Sequence, residues 1–126
     1  MPITGALTGN ITMTDNLSGS VQLTKALAFQ YLGTIFEYSQ SQNIGTGTTT
    51  ISLPLSPTQF VYMKNLSTTA TVTTTWTPNG GTSASILTLQ PGSTVIFVET
   101  NTTSGITAMT VTASTSTTPI EYICLG

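Results

Sequence analysis

Threonine makes up about a quarter of this chain and recurs in short stretches that alternate with apolar residues. Its branched Cβ suits the pleated surface of a strand, and its hydroxyl keeps an outer face wet without charge. Glycine, proline and asparagine interrupt the pattern at regular intervals, which limits each strand to a few residues. A chain written this way folds as short antiparallel strands.

From residue 48 onward the strand pattern is regular. Expected strands cover residues 49–55, 59–66, 70–77, 83–90, 94–99, 106–113 and 119–125. Pro54 and Pro57 stop the first. In the second, Phe60 and Tyr62 alternate with Val61 and Met63. In the third, Val72, Thr74 and Trp76 alternate with Thr71, Thr73, Thr75 and Thr77. Pro78-Asn79-Gly80-Gly81 and Pro91-Gly92 are strong turns, and residues 101–105 make another. The run Val95-Ile96-Phe97-Val98 is the most apolar and predicts a central strand. Seven short strands at this spacing predict an all-β fold, an antiparallel β-sandwich or jelly roll over residues 48–126.

The N-terminal part reads differently. Leu7-Thr8-Gly9-Asn10-Ile11-Thr12-Met13-Thr14 is echoed ten residues later by Leu17-Ser18-Gly19-Ser20-Val21-Gln22-Leu23-Thr24. Two copies are too few for a solenoid. The repeat is either a hairpin of the main domain or an extended β arm, residues 1–40, that packs on a neighbouring subunit. Residues 25–40 carry mixed signals. Ala26, Leu27 and Ala28 favour helix, while Phe29, Tyr31, Ile35, Phe36 and Tyr38 favour strand. The polar stretch 41–47, with Gly45 and Gly47, is expected to link arm and sandwich.

Charge is nearly absent. Asp15, Lys25, Glu37, Lys64, Glu99 and Glu121 are the whole set, 5% of the chain, and there is no histidine. Two lysines cannot form the basic stripe that tracks a phosphate backbone, so nucleic-acid binding is not expected. A surface this neutral opposes association weakly, which points to a chain built to sit in an assembly. No apolar run approaches a membrane span, and the first residues lack the pattern of a secretory signal, so no membrane role is expected. The Asn-X-Ser/Thr triplets at Asn10, Asn16, Asn65 and Asn101 are expected by chance in so hydroxyl-rich a chain. Cys124 is the only cysteine, so no internal disulfide forms, and it is expected as a buried residue of the last strand.

The tools of catalysis are missing. Without histidine there is no Ser-His-Asp or Cys-His site, and no phosphate-binding glycine loop occurs. The four carboxylates fall in no motif. No catalytic, cofactor-binding or metal-ligating residue is expected, and the chain is not expected to be an enzyme. Three sharper options each meet a blander one. Lys25 or Lys64 with an asparagine beside a carboxylate would suit an isopeptide crosslink, but Lys64 and Glu99 read equally as solvated, paired strand ends. Trp76 with Tyr62 would suit a sugar-stacking platform, but the alternation places Trp76 on the core face. Thr-X-Thr pairs also occur on ice-binding surfaces, but here they follow no common period.

The stretch from about residue 48 resembles the small all-β structural proteins of tailed bacteriophages. The residues that carry the likeness are Gln59-Phe60-Val61-Tyr62-Met63-Lys64-Asn65-Leu66-Ser67, Trp76-Thr77-Pro78-Asn79-Gly80-Gly81, Leu89-Gln90-Pro91-Gly92-Ser93 and Ile120-Glu121-Tyr122. The resemblance implies a virion protein assembled in the host cytoplasm. One role it implies is a capsid decoration, or cement, protein that binds copies of itself (as a trimer) and the major capsid protein through its arm and edge strands. The other is a tail fibre, head fibre or baseplate component whose sandwich is a receptor- or glycan-binding knob. A free-standing host-surface or glycan-binding module is a further class.

Overall fold

Alternating β-branched and apolar residues do form strands almost throughout. A computed structural model describes residues 3–14, 17–33, 36–53, 57–81, 85–99 and 104–125. Among them are ten strands and no helix: β1 (Ile3–Thr14), β2 (Val21–Gly33), β3 (Phe36–Ile44), β4 (Thr49–Ile51), β5 (Phe60–Asn65), β6 (Val72–Pro78), β7 (Ser85–Leu89), β8 (Thr94–Val98), β9 (Ile106–Ala113) and β10 (Thr118–Leu125). All pairings are antiparallel.

Eight of these strands make two four-stranded sheets, in the orders β3-β10-β5-β8 and β4-β9-β6-β7. The partners nest: β3 with β10, β4 with β9, β5 with β8 and β6 with β7. That is the pattern of one long ribbon, doubled at its midpoint and rolled over. The pairs β10·β5 and β9·β6 then knit the ribbon's sections side by side. One buried cluster draws on both sheets, so the arrangement is sandwich-like. It includes Ile44, Val61, Met63, Ile120, Tyr122 and Cys124 from the first sheet and Ile51, Val72, Leu89, Met109 and Val111 from the second.

β1 and β2 form a separate two-stranded hairpin of twelve directly paired positions. Residues 25–40, mixed in propensity, are strand wherever they are described: cross-strand pairing outweighs the local helical preference of Ala26, Leu27 and Ala28. The ten-residue repeat is not a structural repeat. Its first copy lies along β1. Its second begins in the turn, where Gly19 takes a φ of 69°, and enters β2 only at Val21. The expected turn residues Asp15 and Asn16 lie outside the described residues.

Two expectations need correction. Residues 41–44, expected as linker, are the end of β3, and Ile44 is fully buried. Polar side chains do not prevent strand formation at an edge where alternate positions face solvent. The two sheets therefore hold eight described strands, not seven. β8, expected to be central, is an edge strand paired only with β5, and β10 is central instead. The turns are as the residues dictate. Gln90-Pro91-Gly92-Ser93 closes with a 3.0 Å bond from Ser93 N to Gln90 O, and Gly92 has a φ of 75°, a type II turn. The first expected strand, 49–55, is strand through Ile51; residues 54–56 lie outside the described set, as do 101–103 of the expected turn before β9.

Candidate functional site

The chemistry-bearing side chains are dispersed. Among the described residues no three of His, Cys, Asp and Glu come together. Asp15 lies outside the described residues, and Glu37 is placed by register opposite Cys124. Lys64 sits on β5 directly opposite Glu121 on β10 and opposite Thr94 at the start of β8. Glu99 follows the far end of β8, where its backbone N donates to Gln59 O at 2.8 Å. The expected Lys64–Glu99 pair is therefore corrected: the antiparallel register puts the two at opposite ends of the β5–β8 ladder. Glu121 is the carboxylate facing Lys64.

Asn65, read from sequence only as part of a chance glycosylation triplet, is fully buried and ties the molecule together. Its side-chain amide donates to Ala70 O at 2.8 Å, Leu89 O at 3.2 Å and Gln90 O at 3.2 Å. Its Oδ1 accepts from Ser67 N at 3.0 Å. The main chain adds a bond from Asn65 N to Ser93 O and one from Gly92 N to Asn65 O. One residue at the end of β5 thus satisfies the backbone leaving β7 and entering β6. An amide so engaged has no freedom to join a Lys64 crosslink, and strand alternation puts Lys64 on the other face. Neither is it open to a glycan. Beside it, Lys64, Ser67, Thr68, Pro91 and Gly92 line an open groove of about 420 Å³ in which Lys64 is the only charge.

Trp76 packs partly buried against the core. Its ring meets Phe97 edge to face, with centroids 5.9 Å apart and planes at 84°. Its Nε1 donates to Thr74 Oγ1 at 2.6 Å, and Thr74 Oγ1 donates to Thr110 O at 3.2 Å. Tyr62 belongs to the other sheet, so the two rings form no joint platform. Cys124 is fully buried between β3 and β5.

The two outer faces of the sandwich-like body differ in kind. In the β4-β9-β6-β7 sheet the inward residues are Ile51, Met109, Val111, Val72 and Leu89. Register then places Thr50, Thr110, Thr75 and the 71% exposed Ile86 in one outward row and Thr112, Thr73 and Thr88 in the next. Thr73 and Thr88 hydroxyls lie 3.3 Å apart. The Thr-X-Thr pairs, without a common period in sequence, are brought opposite one another by pairing between distant strands. The outer face of the β3-β10-β5-β8 sheet is apolar instead. Its rows are Leu125, Phe60 and Val98, then Ile123, Tyr62 and Ile96, with Glu121, Lys64 and Thr94 beyond. Ile96 is 46% exposed, whereas Phe60 and Leu125 are each 6% exposed. Sequence reading missed this face because a strand apolar on both sides reads as a central one.

No protein family, curated protein or solved structure matches this chain.

Proposed function

We propose that this chain is a non-enzymatic virion structural protein, a capsid decoration protein of a tailed bacteriophage that stabilises the shell by binding copies of itself and the major capsid protein. The observation that carries the reading is the nested strand order. Eight strands paired first with last, second with seventh, third with sixth and fourth with fifth support a jelly roll, an architecture that recurs in viral capsid modules. The two outer faces support it as well. Ile96 on the edge of one sheet and Ile86 on the outer face of the other expose apolar side chains that suit contact within an assembly. The charge content of 5% leaves little electrostatic resistance to close packing of copies.

The test is copy number. Quantitative mass spectrometry of purified particles from a host carrying this gene is expected to find the chain in numbers comparable with the major capsid protein. A handful of copies per particle would move it to a tail fibre, head fibre or baseplate. Absence from the particle would end the virion reading.

A further inference from the structure

We propose that two copies of this chain join edge to edge through β7, paired antiparallel about a two-fold axis, so that their β4-β9-β6-β7 sheets run on as one. The idea rests on the assembly role proposed above and deepens it by naming the strand at which copies meet.

An open sheet edge is a row of unpaired N–H and C=O groups that another strand can match. Each four-stranded sheet has two such edges, and three of the four carry a device that discourages pairing. β3 contains Glu37 and has an irregular register against β10 between Ile120 and Tyr122. β4 is three residues long, and Pro54 and Pro57 follow it. β8 has charge at both ends: Lys64 lies opposite its first residue and Glu99 follows its last. β7 has none of these. Ser85–Leu89 contains no proline and no charge, and its register with β6 is regular. The chain has no charged residue between Asn65 and Val98 or between Thr100 and Ile120, so two copies meeting here bring no like charges together.

The strand is also open. Ile86, Leu87 and Thr88 are all exposed, Ile86 by 71% and Leu87 by 42%. Leu87 lies opposite the fully buried Thr74, so it stands on the core side of the sheet and is still uncovered. A further strand beside β7 would supply that cover. The end of β7 is already held in place, since the Asn65 amide donates to Leu89 O and Gln90 O, which lowers the cost of ordering it on pairing.

The strand specifies its own copy as the occupant. With Leu87 on the axis, Leu87 meets Leu87 of the second copy, Ile86 meets the second copy's Thr88, and Ser85 meets its Leu89. This register pairs all five residues and keeps core-side positions opposite core-side positions. Leu87 against Leu87 closes the open core side of both copies, and Ile86 against Thr88 makes two β-branched pairs outside. The outward row ending at Ile86 then runs on into the second copy's Thr88, Thr73 and Thr112. The paired edges are only about 17 Å long. That is less than a standard complex buries, so the free protein is expected to exchange between monomer and dimer with concentration. Copies held side by side in an assembly pair at high effective concentration.

Cysteine crosslinking tests the register. Cys124 is the only native thiol and is fully buried, so a cysteine on β7 reports without competition. Leu87→Cys is expected to give a covalent dimer on mild oxidation, because residues directly opposite have Cα atoms about 4.5–5.5 Å apart, within disulfide reach. Ile86→Cys mixed with Thr88→Cys is expected to form the mixed dimer faster than either forms its own, whose positions sit about 7–8 Å apart. Ile96→Cys, comparably exposed on β8, is expected to stay monomeric. Sedimentation gives a second reading. Ile86→Lys adds the edge lysine that guards natural sheets and is expected to weaken self-association about tenfold or more with thermal unfolding unchanged, whereas Ile96→Lys leaves it intact. Three results would each overturn the proposal: no Leu87→Cys dimer, equal crosslinking by Ile96→Cys, or self-association weakened by Ile96→Lys and not by Ile86→Lys. A chain that pairs through β7 yet is absent from particles sinks only the virion reading. One abundant in particles whose Leu87→Cys form stays monomeric sinks only this one.

Discussion

Three positions show how much rests on single residues. Asn65→Ala would leave Ala70 O, Leu89 O, Gln90 O and Ser67 N without their buried partner. Each orphaned group costs about 1–3 kcal/mol, and backbone relaxation recovers part of the sum, so a loss of about 3 kcal/mol is expected in urea denaturation. An unchanged midpoint would show that water replaces the amide. Thr117 is the one non-glycine residue with positive φ among the described residues, at 61°. A β-branched residue there is strained by about 1–2 kcal/mol, and glycine gives back part of the relief through the unfolded chain. Thr117→Gly is therefore expected to raise stability by about 0.5–1 kcal/mol in the same assay. Gly105 is the converse case. Its φ is 140°, and a Cβ there would run into the backbone oxygen of Thr58. Thr58 and Ile106 exchange two backbone bonds, at 2.7 and 2.8 Å, that hold this crossing. Gly105→Ala is expected to cost about 3 kcal/mol. None of these roles was legible in the sequence beyond the residue type. Asn65 reads as a glycosylation triplet because its acceptors lie up to 25 residues away, on chain ends that only the fold brings together.

At the scale of elements, alternation and turn residues placed most strands well. β5, β6, β7, β9 and β10 fall within a residue or two of where the pattern puts them. The errors share a cause: local pattern reports burial, and burial has more than one source. Val95-Ile96-Phe97-Val98 is apolar on both faces, which normally marks a strand with neighbours on each side. Here one face meets the core and the other extends the apolar outer face across Tyr62 and Ile123. The stretch 41–44 is polar because it lies in an edge strand, and its one large apolar residue, Ile44, is fully buried. That placement has a practical consequence. A truncation removing residues 1–33 keeps β3 whole and is expected to leave a folded body with a cooperative thermal transition. Removing residues 1–40 takes away half of β3 and uncovers the central strand β10, so a broad or much lower transition is expected. Equal melting of the two truncations would show that β3 contributes nothing to the sheet.

For the molecule as a whole, the scarcity of charge decides which forces remain. Ion pairs are few, and the one facing pair of opposite charges in the described sheets, Lys64 with Glu121, is worth about 0.2–1 kcal/mol as cross-strand neighbours. Stability must then rest on apolar burial, that of the cluster shared by both sheets, and the association of copies proposed above would draw on the same force. Forces of that kind respond to salt in a distinctive way. Sodium chloride screens charges over about 8–10 Å at 0.1–0.15 M and has little here to screen. Sulfate strengthens burial because it is excluded from the protein surface. Raising sodium chloride from 0.05 to about 0.5 M, which shortens the Debye length about threefold, is therefore expected to leave the proposed oligomer's dissociation constant within about twofold. Ammonium sulfate at equal ionic strength is expected to tighten it several-fold. Sedimentation across the two series measures both. Dissociation in sodium chloride would mean that the few charges hold the copies together.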